Sequence, residues 1–192
     1  MMSTRQVCFH CLSSTKQFPD QAPGTNCSNH GHCYSGSCGA HSTQCRLLWG
    51  PSAIRSDDKC FKQNIRGDKK GNCGYKDGNR TQFRACGKAD VLCGMLHCSH
   101  LSEKLEFGLK DVAMLSQSML RSGKNVLPCR NALVDLGLDH TDPGLAPSGA
   151  SCGKGKMCLD RKCVPLGIVI IIIVHRCQKH LCFRCHSAPV SR

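Results

Sequence analysis

Thirteen cysteines lie between Cys27 and Cys163, at uneven spacings and among short polar loops. The whole chain holds 18 cysteines in 192 residues, a density typical of a disulfide scaffold rather than of a cytosolic enzyme. Because disulfides persist only in oxidising compartments, this density indicates folding in the secretory pathway. We take the thirteen as disulfide candidates: Cys27, Cys33, Cys38, Cys45, Cys60, Cys73, Cys86, Cys93, Cys98, Cys129, Cys152, Cys158 and Cys163.

The composition offers few large side chains for a core. Aromatic residues make up 5% of the chain, and Trp49 is its single tryptophan. Disulfides offset such a shortage, since each typically stabilises a small domain by about 2–4 kcal/mol. We therefore expect a small disulfide-rich, loop-dominated α+β fold, in which irregular short strands and helices are held together by disulfides.

A few segments carry signals of local structure. Cys45, Leu48 and Trp49 share one face at helical spacing, which predicts a short helix over 42–49. Turn chemistry recurs at 77–79, at 142–144 and at 147–149. The longest cysteine-free interval, 99–128, is harder to assign, because a helix competes there with an extended variable loop. The helix rests on partial periodicity of Leu105, Leu109, Val112, Leu115, Met119 and Leu120.

The two ends of the chain differ in character from its body. Residues 1–23 form a divergent leader, 24–165 the cysteine-rich body, and 166–192 an apolar run with a basic, cysteine-containing tail. The first residues lack the apolar stretch of a secretory signal peptide. Since this conflicts with the disulfide interpretation, we expect a fragment, a truncated isoform or an incomplete gene model.

The apolar run at 166–174 is about half the length of roughly 20 residues that a membrane helix needs. We expect a buried strand or a non-native tail there rather than a membrane span.

Catalytic motifs are absent from the sequence. It has no His-Glu-x-x-His helix, no Gly-x-Ser-x-Gly elbow and no phosphate-binding glycine loop, and its ten histidines occur singly among turns. We therefore predict a protein that is not an enzyme, with no cofactor and no metal.

The formal net charge of +13 suits a solvated surface, but it also suits nucleic acid or an acidic surface. The pairs Cys8/Cys11 and Cys182/Cys185 have zinc-ribbon spacing. A zinc-binding, basic nucleic-acid module is thus the alternative function, although we favour no nucleic-acid partner.

Two short motifs concern secretion and adhesion. Asn79-Arg80-Thr81 is an N-glycosylation acceptor, so Asn79 is the glycosylation candidate. Arg66-Gly67-Asp68 is an integrin-type tripeptide, which requires a guanidinium and a carboxylate presented on opposite sides of an exposed loop. A plain turn explains the same three residues, and we favour it.

Eight blocks of the body combine cysteines with characteristic neighbours: residues 34–38, 44–50, 58–61, 67–74, 90–98, 142–145, 149–153 and 156–163. Together they resemble the cysteine-rich domain of ADAM proteins and snake-venom metalloproteinases, the reprolysin family. The most specific block is Asp90-Val91-Leu92-Cys93-Gly94-Met95-Leu96-His97-Cys98, because cysteine spacing and neighbouring residues both match. The likeness spans about residues 24–165.

In that family the domain follows a metalloprotease and a disintegrin domain and often precedes an EGF-like repeat and a membrane span. None of these is recognisable here, so the resemblance implies adhesion or substrate recognition without proteolysis. It places the chain outside the cell or at the cell surface. The implied partners are extracellular or cell-surface proteins, among them integrins or proteoglycans.

The family's hypervariable region, thought to select partners, corresponds to about 99–128. The partner-binding candidates in it are Leu105, Phe107, Leu109, Val112 and Leu115. A truncated product without an independent role stays open as well. Since thirteen is odd, one cysteine of the body needs a partner outside it.

Overall fold

A computed structural model describes residues 26–27, 31–34, 37–76, 79–100, 105–106, 112–134, 136 and 142–169. Within them, short strands alternate with short helices and long connections. The strands are β1 (Asn26–Cys27), β2 (Gly31–Tyr34), β3 (Ser37–Gly39), β4 (Ile54–Arg55), β5 (Tyr75–Lys76), β6 (Asn79–Phe83), β7 (Cys98–Ser99), β8 (Ala113–Ser122), β9 (Asn125–Val134), β10 (Ser151–Gly153), β11 (Lys156–Leu159) and β12 (Lys162–Pro165). The helices are α1 (His41–Trp49), α2 (Asp58–Phe61) and the 3-10 helices η1 (Lys62–Arg66) and η2 (Lys88–Cys93).

The strands form small antiparallel sheets. Their orders are β1-β2-β3, β4-β7-β9-β8, β5-β6 and β10-β11-β12. Each sheet is too small to enclose a core of its own, so the elements depend on packing and cross-links between them. The prediction of a disulfide-rich, loop-dominated α+β fold is confirmed.

Helix α1 confirms the helix predicted for 42–49. Cys45, Leu48 and Trp49 lie on its buried face, as their spacing predicts. This face packs on Phe61, which is fully buried, and on the end of β9. The main apolar core comprises Cys45, Leu48, Trp49, Ala53, Phe61, Leu96, Cys98, Leu105, Ala132 and Val134.

Five disulfides connect ten of the thirteen candidate cysteines. They are Cys45–Cys98, Cys60–Cys129, Cys73–Cys86, Cys93–Cys158 and Cys152–Cys163. Three of them close loops of more than 50 residues and join different elements. Cys27, Cys33 and Cys38 lie in β1, β2 and β3, where the strand register places Cys33 opposite Cys38. The side chains of these three are outside the described part of the chain.

The interval 99–128 differs from both sequence-based expectations, because residues 113–122 and 125–128 are paired strand. β8 and β9 form a hairpin whose register runs from Ala113 opposite Val134 to Ser122 opposite Asn125. Along 116–122, burial alternates with every residue, which is strand periodicity rather than helical periodicity. Gly123, at φ +63, occupies the first position of the two-residue turn, as in type II′ hairpins. The predicted helix is wrong for residues 113–122, and the competing loop is in fact an ordered ladder.

The apolar run that begins at Leu166 also departs from expectation. Residues 166–169 are helical, so the predicted buried strand is wrong for these four residues. Val169 is nevertheless fully buried and packs with Met157 and Leu159. Residues 170–174 lie outside the described part. Of the helices described, none combines the length and apolarity required to cross a bilayer.

Two buried histidines flank Phe61 in the core. The ring centroids of His41 and His97 each lie 5.3 Å from that of Phe61, in edge-to-face contact. Burial lowers the pKa of both imidazoles to about 4. The Nε2–H of His41 donates to the carbonyl of Leu92 at 2.7 Å, which opposes the shift, while the charge of Arg55 adds to it. Both rings are therefore neutral near pH 7.

Removing a long-range disulfide should destabilise the fold more than removing a local one. Replacing Cys45 and Cys98 by serine opens a loop of 53 residues, whereas replacing Cys73 and Cys86 opens one of 13. On loop entropy alone, the expected losses are about 4 and about 3 kcal/mol. Urea unfolding under non-reducing conditions measures both. A greater loss for the Cys73/Cys86 variant would contradict this ranking.

Acid should destabilise the fold through His41 and His97. In the unfolded chain both titrate near pH 6.5, whereas in the folded chain they titrate near pH 4. Between these two pH values the unfolded chain binds more protons than the folded chain. The contribution of the two neutral histidines to the free energy of unfolding is therefore fully present above pH 6.5 and is lost as the pH falls towards 4. At pH 5 the expected loss is about 2 kcal/mol for each histidine.

Urea unfolding at pH 7 and pH 5 measures this loss. His41→Gln keeps an N–H donor for Leu92 but cannot titrate, so it should remove about half of the pH dependence. Equal stabilities of the unsubstituted chain at the two pH values would refute the assignment.

Candidate functional site

The β8–β9 hairpin, residues 112–134, is fastened to the body along one face. We call it the recognition hairpin. The Cys60–Cys129 disulfide ties β9 to α2. Beside it, Gln63 Nε2 donates to Ser118 Oγ at 2.9 Å, and Lys59 hydrogen-bonds to Ser122. This face of the hairpin therefore has a fixed position on the body.

The other surfaces of the recognition hairpin carry exposed apolar side chains. Ten large apolar residues are exposed among those described, and five of them belong to the hairpin. The exposed fractions of the five hairpin side chains lie between 42 and 60%. The five are Val112, Met114, Leu115, Met119 and Val126. Scattered exposed apolar residues need no explanation, but a concentration on one element is typical of a contact surface.

A groove of about 280 Å³ runs beside β8. Strand β8 lines it from Met114 to Gln117, and Lys69 and Lys70 contribute to the lining from a distant part of the sequence. Leu133 completes the lining. The groove thus combines apolar side chains and hydroxyl and amide groups with two ammonium groups. Within the described ranges, neither lysine has a carboxylate at ion-pair distance.

The turn that carries these lysines, residues 67–71, is held by hydrogen bonds to its backbone, and we call it the lysine turn. Asp68 Oδ1 accepts from the backbone N–H groups of Lys70 and Gly71, at 2.8 and 3.1 Å. Asn72 Nδ2 donates to the carbonyl of Asp68 at 2.9 Å, and Asn131 Nδ2 donates to that of Lys70 at 3.0 Å. The last bond links the turn directly to β9. The backbone of the turn is therefore fixed, and the two lysine side chains belong to the lining of the groove.

A fully buried asparagine supports this turn from behind. Asn64 Nδ2 donates to the carbonyls of Val91 and Met95, at 2.8 and 2.9 Å. Its Oδ1 accepts from the backbone N–H of Asn72 at 3.1 Å and lies 3.3 Å from His97 Nε2. One amide thus satisfies four groups and joins η1 to the segment after η2.

The integrin-type tripeptide is part of the same turn. Arg66 Nε lies 2.8 Å from Asp68 Oδ2, so the guanidinium and the carboxylate pair with each other. Gly67 has φ +65, and a Cβ there would lie 2.8 Å from the backbone nitrogen of Ala85. Because integrin recognition requires the two charges to be presented apart, the geometry supports the plain turn.

The partner-binding candidates from the sequence have different positions. Val112 and Leu115 are exposed on the recognition hairpin, but Leu105 is 7% exposed and belongs to the main core. We therefore withdraw Leu105 from the binding set, because its side chain is committed to packing. Phe107 and Leu109 lie outside the described residues.

Sequence reasoning missed Met114 and Met119 on the hairpin. It also missed Lys69 and Lys70, which are distant in sequence. The sequence of β8 offers no clear signal for them, because the alternation of exposed and half-buried residues along the strand is visible only in the folded chain.

Asn79, the glycosylation candidate, is the first residue of β6, opposite Lys76 of β5. Its side chain lies outside the described part, so glycosylation stays a prediction.

One cluster of metal-ligating atoms occurs among the described residues. The Sγ atoms of Cys93, Cys152 and Cys163 lie within 4.8 Å of one another. All three belong to disulfides, with Cys158 completing the first pair. Since a thiolate is the metal ligand and these sulfurs are oxidised, we interpret the cluster as two neighbouring disulfides. The zinc-spaced pairs Cys8/Cys11 and Cys182/Cys185 lie outside the described residues.

Comparison with known proteins identifies relatives of the chain by sequence. The chain is 38% identical over 162 residues to the mouse (Mus musculus) protein "disintegrin and metalloproteinase domain-containing protein 23", covering 82% of this chain and 19% of the relative. Protein 22 of that series from Xenopus laevis is 37% identical over 161 residues, covering 81% and 17%. Mouse protein 12 is 36% identical over 161 residues, covering 83% and 17%.

The chain thus spans about a fifth of the length of these curated relatives. The family profile described as "ADAM cysteine-rich" matches residues 23–144, a range that includes α1, the turn with Lys69 and Lys70 and the whole recognition hairpin. This chain belongs to the ADAM cysteine-rich family.

Proposed function

We propose that this chain is a non-catalytic recognition module that binds an extracellular or cell-surface protein through its recognition hairpin. The observation that carries the proposal is the concentration of exposed apolar side chains on the hairpin. A soluble protein seldom leaves such residues together in water unless they meet a partner. The disulfide between Cys60 and Cys129 supports the proposal, because it presents the hairpin at low entropic cost.

The disulfides also support an extracellular or cell-surface location. Ten described cysteines are paired with one another, and such bonds form and persist in the secretory pathway. The part of the family that matches is the cysteine-rich region. In our proposal the module contributes adhesion or substrate recognition, and any chemistry belongs to other parts of such proteins.

Substitution on the hairpin should weaken binding to cells. Leu115→Asp places a charge at the centre of the apolar surface, and we expect apparent affinity to fall at least tenfold, as for a central interface residue. The chain, secreted by an added signal peptide and fluorescently labelled, is titrated on a panel of cultured cell lines by flow cytometry. Leu47→Asp is the matched control, since Leu47 is similarly exposed (53% against 48%) but lies on α1.

Protease treatment of the cells identifies the nature of the receptor. Binding to a protein receptor disappears after mild surface proteolysis and survives digestion of surface glycosaminoglycans. Binding that survives proteolysis, or equal losses for Leu115→Asp and Leu47→Asp, would refute the proposal. Far-UV circular dichroism and melting temperature of each variant exclude misfolding as the cause.

A further inference from the structure

Strand β8 is an edge strand of its sheet in the part of the chain that the structure describes. It ends the order β4-β7-β9-β8, and among the described residues it pairs only with β9. Its ten residues include no proline or lysine and a single charge, Arg121, near the far end. Exposed edges are ordinarily protected by short length, proline, inward charges or lysine. A long edge without these devices can accept another strand.

We propose that an extended peptide segment of the partner protein pairs with β8 as an added strand and places a carboxylate against Lys69 and Lys70. The inference rests on the proposed function and specifies its binding mode. Backbone hydrogen bonds along an edge supply affinity, while alternate side chains supply specificity. The groove lined by β8, Lys69 and Lys70 provides the space for the acidic side chain of the added strand.

The pleat of the sheet determines which partner residue meets the lysines. Residues opposite each other in a sheet point to the same face, so Ser116 shares a face with Asn131. The side chain of Asn131 reaches the backbone of Lys70, so this face is the one covered by the lysine turn. A partner residue opposite Ser116 therefore points towards Lys69 and Lys70. A carboxylate there would gain two ammonium partners that lack carboxylates among the described residues.

The other face determines the remaining preferences. Leu115, Gln117 and Met119 share it, and the two apolar side chains are 48 and 57% exposed. The partner residues opposite Leu115 and Met119 should thus be apolar, and the one opposite Gln117 polar. The five partner residues opposite Leu115 to Met119 should therefore be apolar, acidic, polar, any residue and apolar. A parallel partner strand carries them in this order, and an antiparallel strand carries them in the reverse order.

A second copy of this chain fits the edge less well than a different protein. The sequence of β8 contains no aspartate or glutamate, so a paired copy of β8 could not bring a carboxylate to the lysines. The formal net charge of +13 adds repulsion between copies and attraction for an acidic segment. The charge complementarity therefore selects an acidic partner strand.

A charge-swap experiment tests the carboxylate position. The probe is a fluorescein-labelled nine-residue peptide of valines and threonines that contains the five-residue pattern with one glutamate, titrated by fluorescence anisotropy. We expect Lys69→Glu with Lys70→Glu to weaken binding at least tenfold, and a peptide with lysine in place of glutamate to recover it on that variant. Lys154→Glu with Lys156→Glu is the matched control, because it changes the net charge equally at exposed lysines in and beside another sheet. The affinity of this control variant for the peptide should stay within twofold of that of the unsubstituted chain.

Peptides methylated at alternate backbone nitrogens test the added strand. Methylation of the set of amides that faces β8 should abolish binding, and methylation of the other set should preserve it. Equal effects of both sets, no binding of the unmethylated peptide, or failure of the charge swap would overturn the inference. A dimer in sedimentation velocity that is lost in Leu115→Asp would overturn it as well, in favour of a second copy.

Failure of edge pairing can be distinguished from failure of the proposed function by testing whether the peptide competes with cell binding. Cell binding that depends on Leu115 but is not competed by the peptide overturns edge pairing and leaves the recognition module intact. If neither Leu115-dependent cell binding nor peptide binding is observed, the recognition function and the edge pairing are both overturned.

Discussion

The Cys60–Cys129 disulfide is the constraint on which the functional surface depends. It joins α2, at the start of the segment that leads into the lysine turn, to the middle of β9. Both cysteines are fully buried, and the hydrogen bonds from Gln63 to Ser118 and from Asn131 to Lys70 lie on the same face. One covalent bond therefore sets the distance between two segments that are remote in sequence. Both segments contribute to the lining of the groove.

Cross-links and buried amides perform in this fold the work that large apolar side chains perform in others. The main core contains one tryptophan and one phenylalanine, and cysteines occupy two of its ten buried positions. Asn64, fully buried, satisfies four polar groups with a single amide. Such bonds are directional, so they define a geometry more narrowly than apolar contact does. A narrowly defined geometry suits a protein whose proposed role is to present a binding surface in a fixed position.

Sequence reasoning reached some of this structure for physical reasons that are easy to name. Cysteine density implied cross-links, and the spacing of Cys45, Leu48 and Trp49 placed α1 correctly, because both signals are local. The hairpin was missed because its apolar residues fit both helical and strand periodicity. Only their burial in the folded chain distinguishes the two. The pairing of ten cysteines depends on long-range topology, which spacing does not encode. Lys69 and Lys70 belong to the groove only through the folded distance to β8, so no local pattern could nominate them.

The two disulfides that meet at Cys93, Cys152 and Cys163 have a consequence for anyone who refolds this protein. In a refolding buffer that contains a small thiol, attack of that thiol on one disulfide forms a mixed disulfide and frees a cysteine thiolate. With three sulfur atoms within 4.8 Å, that thiolate can attack the neighbouring disulfide with little movement of the backbone, and the cysteine thiolate released there displaces the small thiol again. Each exchange breaks one sulfur–sulfur bond and forms another, so the number of bonds and the mass of the chain stay the same. Intact mass would therefore report a scrambled isomer as native, and peptide mapping of the bridges is the assay that separates the two.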